Sequence, residues 1–349
     1  MKLEEIIGQL FLLGFRGQNI DANNPIAADI KDRNLGGVIL FDKLLARKEN
    51  QNNIGNPAQV KKLTSSLQSY SSTPLLIAVD QEGGMVKRLK AETGFPETES
   101  AKDLGIHDDL VRTTLHAACT ASILRTIGIN YNLAPVVDLN IFQDNPVIGK
   151  INRSFSADPD LVIRHASTWI REHTKQNIIS CLKHFPGHGS SQTDSHLGFT
   201  DISSTWMEIE LIPFKRLINL QNKNQIASVM LGHLFHNDFD TQYPTSLSKA
   251  VVNNLLRKQL GFKGVILTDD LQMKAITDKY GLEESVCLAL AAGVDMIIVG
   301  NNLEHDPGFL KRVIPVIIQA VQEKRISEDH ILSAWKRIGR MKEQLIMEK

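Results

Sequence analysis

Eight short apolar runs recur along this chain of 349 residues, and amphipathic stretches of helix length separate most of them. The runs cover residues 10–15, 36–41, 75–80, 131–138, 178–184, 227–234, 264–270 and 296–300. Strands that are buried on both faces of a parallel sheet have continuous Val, Ile and Leu sequences of this kind. Eight such strands, alternating with helices, predict right-handed crossovers and an α/β fold class, a single (β/α)8 TIM-like barrel.

Helix caps and helix breakers divide the stretches between the runs. Asn56, Asp158 and Ser248 are the predicted N-caps, because short polar side chains accept from free N–H groups at helix starts. The predicted helices cover residues 58–70, 159–176, 205–219, 248–260, 283–292 and about 327–347. The residue count suits one catalytic domain over 1–349, which the last of these helices closes.

Two segments depart from the alternation. Residues 43–56 are polar and rich in Asn, which predicts an exposed insertion. The loop over 185–204 is too long for a simple connection, and long loops in compact domains more often carry function. We therefore expect the second segment to belong to a functional site.

Charge and cysteine content narrow the possible partners and the compartment. Lys and Arg together number 39, as do Asp and Glu, and this zero net charge argues against binding nucleic acid or a membrane surface. Cys119, Cys181 and Cys287 have no metal-site spacing, which predicts buried free thiols in a reducing compartment. The acidic start at Glu4 and Glu5 does not fit a signal peptide, and no apolar run reaches the roughly 18–20 residues that span a bilayer. We expect a cytoplasmic monomer.

Polar side chains lie at or near the ends of five predicted strands. They are Asp80, Asp138, Lys183, His184, His233, Asp269 and Asp270. The densest group lies at 183–196, where a lysine, three histidines and an aspartate fall within fourteen residues around a Pro-Gly turn. Catalytic groups of parallel barrels gather at the C-terminal ends of strands. Because unpaired buried charge is costly, so many polar strand ends predict a functional site there.

Four motifs resemble glycoside hydrolase family 3, in its bacterial β-N-acetylglucosaminidase branch. They are residues 80–84 with Arg88, 132–138, 183–196 and 268–273. Their order and spacing cover essentially the whole chain, and the motif at 183–196 is the most specific. Met85 departs from the family, which commonly has arginine after the Gly-Gly pair.

The resemblance implies a retaining exo-hydrolase that removes a non-reducing β-linked N-acetylglucosamine. Asp269 matches the nucleophile, which would form a covalent glycosyl-enzyme. His196 matches the acid/base residue and Asp194 the carboxylate that orients it, since an imidazole can donate and accept a proton near neutral pH. Asp270, the neighbour of the nucleophile, is expected to face the other way as a helix cap or loop anchor.

Binding of the sugar also follows from the resemblance. The matching positions are Asp80, Arg88, Arg153, Lys183 and His184. The implied substrate is a cytoplasmic peptidoglycan fragment, N-acetylglucosaminyl-1,6-anhydromuramic acid with or without peptide, and neither a metal nor another cofactor is expected. Asp138 and His233 are left open between supporting and purely structural roles, and His188 is expected to shape its loop.

Three other interpretations remain. His184, His188 and His196 with several aspartates would suit a metal-dependent barrel hydrolase, although Lys183 would repel a metal there. A carbohydrate-binding barrel without catalytic activity would keep the same sugar contacts. A two-domain β-glucosidase of the same family would take a glutamate acid from its second domain, where this chain has the Asp-His pair.

Overall fold

The structure is a computed structural model that describes residues 2–220 and 227–345. Within these residues, eight parallel strands close a barrel in which each strand pairs with the next along the chain, and β8 pairs with β1. The strands are β1 (Phe11–Gly14), β2 (Gly37–Ile39), β3 (Leu76–Val79), β4 (Tyr131–Asn132), β5 (Ile179–Phe185), β6 (Ser228–Leu231), β7 (Val265–Asp270) and β8 (Met296–Val299). The predicted α/β class and (β/α)8 barrel are confirmed, and each apolar run contributes one strand.

Helices surround the barrel and bury its outer face. They are α1 (Leu3–Gly8), α2 (Pro25–Asp32), α3 (Pro57–Tyr70), α4 (Ala101–His107), α5 (Leu110–Thr126), α6 (Pro159–Lys175), α7 (Ile212–Asn219), α8 (Lys274–Thr277), α9 (Leu282–Ala292), α10 (Phe309–Gln322), α11 (Glu328–Glu343) and a π-helix at Ala250–Gln259. The side chains of Asn56, Asp158 and Ser248 accept from N–H groups of the first turns that follow them, as predicted. No helix in the described part of the chain combines the length and the apolar content needed to cross a bilayer.

Two predicted helices differ in their bounds. The helix predicted over 205–219 is a 3₁₀ turn at Glu208–Leu211 followed by α7, because Pro213 lacks an N–H and fits only the first turn of a helix. The helix predicted over 327–347 is α11, and residues 346 and 347 lie outside the described residues.

The prediction that 43–56 is an exposed insertion is wrong for its second half. Asn52, Asn53 and Ile54 are buried. The Asn53 amide donates to the carbonyls of Phe15 and Gly17 and accepts from the Phe41 N–H, so polar residues here satisfy buried backbone groups. These bonds tie the segment to the ends of β1 and β2.

The cysteine prediction is also wrong at one position. Cys119 is exposed on α5, whereas Cys181 and Cys287 are buried, and all three are free thiols. A helix that packs one face against the barrel leaves its opposite face in solvent, so residues within an otherwise apolar helix can still be exposed.

Regular strand pairing breaks down at the C-terminal ends of the barrel. β4 has only two residues before Pro135, which has no N–H for a sheet ladder. The pairing of β5 with β6 shifts register between Leu182 and Phe185, and that of β7 with β8 shifts between Leu267 and Asp270. Irregular strand ends re-aim side chains, and these ends carry the predicted site residues.

Candidate active site

A cleft of about 250 Å³ lies at the C-terminal ends of the barrel strands. The eight predicted catalytic and sugar-binding residues all line it: Asp80, Arg88, Arg153, Lys183, His184, Asp194, His196 and Asp269. Val86, Val147, Ile151 and Met230 add apolar surface to the cleft. A larger cavity of about 460 Å³ lies beside the ends of β1 and β8, and none of the eight residues lines it.

A buried network of ion pairs forms one side of the cleft. Lys183 is only 1% exposed, and its Nζ lies 2.9 Å from Asp80 Oδ1 and 2.7 Å from Glu82 Oε1. Arg153 donates two bonds of 2.8 Å to the two oxygens of Glu82. Arg88 donates to the second oxygen of Asp80 at 3.3 Å. Each buried charge therefore has an opposite partner, as a low-dielectric site requires.

Glu82 is the member of this network that was not predicted as a site residue. Burial favours the neutral carboxyl, but the charges of Arg153 and Lys183 outweigh burial and lower the pKa of Glu82 to about 2. Glu82 does not line the cleft itself, so it holds two side chains that do. Its position two residues after Asp80, on the same strand end, is the signal that could have identified it.

Asp138 supports His184 from below the cleft. The carboxylate is fully buried, and it accepts from the His184 N–H at 3.1 Å, the His184 ring Nδ1 at 2.7 Å and the His188 N–H at 2.8 Å. Nδ1 of His184 therefore carries a proton, and Nε2, 3.2 Å from an Arg153 nitrogen, is placed to accept from it. The contacts of Asp138 favour the supporting role over the structural one that the sequence left open.

Asp269 and Asp270 have different surroundings, as predicted for consecutive strand residues. Asp269 faces the cleft. Burial alone would raise the pKa of Asp269, but His184, His233 and His196 in their protonated forms, together with the hydrogen bond from the Asp270 N–H, outweigh burial and bring the pKa below its ordinary value. Asp270 instead accepts from the N–H groups of Gln272 and Gly300, each at 3.0 Å, and is a loop anchor. Burial raises the pKa of Asp270 to about 6.

The loop that follows β5 carries a paired aspartate and histidine. His196 Nδ1 lies 2.8 Å from Asp194 Oδ1, which also accepts from the His196 N–H. The His196 side chain is 49% exposed, so the rest of its ring faces the open cleft and solvent. An orienting carboxylate on one ring nitrogen leaves the other nitrogen free to exchange a proton.

Buried polar contacts hold the first part of this loop. His188 bonds the hydroxyls of Ser191 and Ser195 through its two ring nitrogens, as expected of a residue that shapes the loop. Glu210 accepts from the N–H groups of Gly189 and Ser190. Sequence reasoning missed Glu210, because nothing local distinguishes it from the exposed Glu208 beside it.

Metal-ligand geometry is absent from the described residues. No group of three or more His, Cys, Asp or Glu side chains within 2–220 and 227–345 is arranged to hold a metal ion. The two histidines that line the cleft, His184 and His196, instead bond aspartates and an arginine.

Comparison with known proteins gives consistent matches. The family model for the glycosyl hydrolase family 3 N-terminal domain matches residues 2–341. A β-hexosaminidase of Neisseria meningitidis serogroup C is 34% identical over 78% of this chain and 73% of its own length. β-Hexosaminidase A of Pseudoalteromonas piscicida is 28% identical over 98% of this chain. A solved family 3 β-N-acetylglucosaminidase from Paenibacillus sp. FPU-7 superimposes with a TM-score of 0.88 at 33% identity, over 99% of this chain.

The parallel barrel and the polar cleft at its C-terminal end, together with these matches, define a barrel of the glycoside hydrolase class. Within that class, the chain belongs to glycosyl hydrolase family 3. The chain spans 61% of the length of the Pseudoalteromonas protein and 62% of that of the Paenibacillus chain.

Proposed function

We propose that this protein is a retaining exo-β-N-acetylglucosaminidase. The observation that carries the proposal is the presence, in one cleft, of Asp269 with a lowered pKa and of the paired Asp194 and His196. Retaining glycosidases need a nucleophilic carboxylate and a separate proton donor on the two sides of the scissile bond. The names of the Neisseria and Paenibacillus relatives, a β-hexosaminidase and a β-N-acetylglucosaminidase, support the same substrate class.

The proposed reaction has two steps. Asp269 attacks the anomeric carbon while His196 gives a proton to the leaving oxygen, and a glycosyl-enzyme forms. His196 then takes a proton from water, which attacks the anomeric carbon and releases Asp269. Asp194 keeps the imidazole oriented and stabilises it when it is protonated. Neither step requires a cofactor.

Sugar recognition is assigned to the buried ion-pair network and its neighbours. Asp80 presents an acceptor for hydroxyl groups, whereas Arg88, Arg153 and Lys183 present donors for hydroxyl or acetamido oxygens. Because these side chains already bond one another, they are fixed before the sugar arrives. His184 completes the cleft wall beside Arg153. Preorganised polar groups of this kind suit a neutral, hydroxyl-rich ligand.

The proposed natural substrate is a peptidoglycan fragment, N-acetylglucosaminyl-1,6-anhydromuramic acid with or without peptide, handled by a monomer in the cytoplasm. The eight proposed site residues form one cleft, so the proposed mechanism calls on no residue of a second copy. Cys119 is an exposed free thiol, which suits a reducing compartment.

A paired assay tests the activity. The protein is expected to hydrolyse an aryl N-acetyl-β-glucosaminide and to leave the matched aryl β-glucoside nearly intact, with the released sugar first appearing as the β-anomer. Equal rates on both substrates would contradict the proposed specificity for the acetamido group. Release of the α-anomer would contradict the proposed retaining mechanism. Comparison of the anhydromuramic disaccharide with chitobiose then tests the peptidoglycan assignment, which fails if chitobiose is preferred.

A further inference from the structure

We propose that His233, held by Ser246, is a positioning residue that fixes the direction of the Asp269 carboxylate through the backbone of Asp270. The proposal rests on the nucleophile role assigned to Asp269 above. It gives a function to a buried histidine that does not line the cleft and so does not reach the sugar.

The hydrogen bonds of His233 define its tautomer. The side chain is 1% exposed, with Nε2 at 3.0 Å from the Asp270 carbonyl oxygen and Nδ1 at 2.7 Å from Ser246 Oγ. A carbonyl can only accept, so Nε2 carries the proton that forms this bond. In the neutral ring, Nδ1 then accepts from the Ser246 hydroxyl. Burial lowers the pKa of His233, which favours this neutral form.

A side chain is needed at this point because the backbone pairing of β7 with β6 has ended, although Asp270 still pairs with Ile298 of β8. The last paired residues of β6 and β7 are Leu231 and Thr268, and Asp270 lies two residues beyond them. The pairing of β7 with β8 also shifts register before Asp270. The His233 ring therefore supplies the donor that a regular ladder would have taken from the backbone of β6.

Asp270 is consequently fixed at three of its polar groups. His233 holds its carbonyl, the Asp269 carboxylate accepts from its N–H at 2.8 Å, and its own carboxylate accepts from Gln272 and Gly300. The backbone on both sides of Asp270 is thereby held in one orientation, and with it the N–H that bonds the Asp269 carboxylate. Since nucleophilic attack depends on the direction of the carboxylate, loss of one of these contacts is expected to lower the rate.

Ser246 is itself fixed to the loop segment after β6 that carries His233. The neighbouring Thr245 donates from its hydroxyl to the Gly232 carbonyl at 2.6 Å and from its N–H to the Leu234 carbonyl at 2.7 Å. Ser246 is fully buried. Its hydroxyl therefore has a set position, from which it can select the tautomer of the ring.

The test uses three substitutions in the full chain and two readouts. His233→Ala is expected to lower kcat on an aryl N-acetyl-β-glucosaminide by about 10- to 100-fold, the range of a lost positioning contact, and to leave the inhibition constant of N-acetylglucosamine within about twofold. His233→Gln carries an amide N–H at nearly the same reach as Nε2 and is expected to recover most of the rate. Ser246→Ala keeps the His233 ring but removes the hydroxyl that selects its tautomer. The expected fall in kcat lies between those of His233→Gln and His233→Ala.

His236→Gln is the matched control, because His236 is another buried histidine on the same loop, whose ring accepts from the Asp238 N–H and packs against Trp206 and Phe239. A wild-type kcat in His233→Ala would overturn the proposal, as would equal losses in the Ala and Gln variants or a parallel loss of inhibitor binding. If His233→Ala does not fold, the kcat of Ser246→Ala becomes the test. A value equal to that of the wild type would then overturn the proposal. A wild-type protein without glycosidase activity would instead contradict the proposed function.

Discussion

Asp269 and Asp270 illustrate how strongly a single residue depends on its surroundings. The two carboxylates are adjacent in the chain and both are shielded from solvent, yet burial raises the pKa of Asp270 to about 6, whereas nearby imidazoles keep that of Asp269 below its ordinary value. Of the two, only Asp269 is ionised over the whole range near neutral pH, as a nucleophile must be. Neighbouring groups thus distinguish two residues that are chemically identical.

Replacement of Asp269 tests the nucleophile. Asp269→Asn keeps an oxygen for the Asp270 N–H but removes the charge, so we expect kcat to fall by more than about 10³-fold with no change in the thermal midpoint. Asp270→Asn is the control, and it should stay within about tenfold of the wild-type rate. Initial rates and thermal denaturation check both variants, and a nearly active Asp269→Asn would refute the assignment.

Replacement of His196 tests the proton donor. A substrate with a good leaving group needs little protonation, so His196→Ala is expected to form the glycosyl-enzyme at nearly the wild-type rate from such a substrate and far more slowly from a poor one. Pre-steady-state release of aryl alcohols with different pKa values measures this dependence. If the loss is the same for all leaving groups, His196 is not the acid.

Secondary-structure elements explain how the loop after β5 keeps its shape. Gly189 and Ser190 bond the Glu210 carboxylate, which the 3₁₀ turn before α7 presents to them. Burial raises the pKa of Glu210. One carboxylate thus connects the loop that carries His196 to the helix layer.

A neutral side chain at this contact should loosen the loop. Glu210→Gln weakens the two bonds from Gly189 and Ser190, because a charged acceptor is stronger than an amide. We expect kcat/KM to fall about 5- to 50-fold, the loss that misplacement of a catalytic group produces, with a smaller relative effect on inhibition by N-acetylglucosamine. Glu208→Gln, at an exposed acid of the same turn, is the control, and equal effects of the two variants would refute the anchor role.

The elements that the sequence predicted well are those with local signals. Apolar runs identify all eight strands, and the side chains of Asn56 and Asp158 mark helix starts. Glu82 and Glu210 were missed because their partners lie 71 and 21 residues away along the chain, as in the bonds to Arg153 and Gly189. Long-range pairing of this kind depends on barrel closure, which no local pattern contains.

At the scale of the whole molecule, the first and last helices meet over a buried lysine. Lys342 of α11 is 5% exposed, and its Nζ donates to Gln9 Oε1, 333 residues away, at 2.8 Å. Burial lowers the pKa of Lys342 from 10.5 to about 7. The contact joins the chain ends at the barrel bottom, opposite the cleft.

Because of this lysine, the free energy of unfolding should change with pH above neutrality. Between about pH 7 and pH 10 the unfolded chain keeps a proton that the folded chain releases, so the free energy of unfolding should rise with pH relative to Lys342→Met. Chemical denaturation at both pH values measures the difference, with exposed Lys336→Met as the control. A constant difference between wild type and Lys342→Met would show that Lys342 does not titrate in this range.

The ion-pair network has one further consequence, which concerns ionic strength. Asp80 and Glu82 face Lys183, Arg153 and Arg88, so the strong hydrogen-bonding groups of the cleft wall each lie beside a group of opposite charge. Dissolved ions screen exposed charges far more than buried pairs, and an uncharged sugar gains nothing from long-range attraction. Capture of substrate should therefore be nearly independent of salt, and any salt dependence would arise from charged groups on the part of the substrate beyond the first sugar.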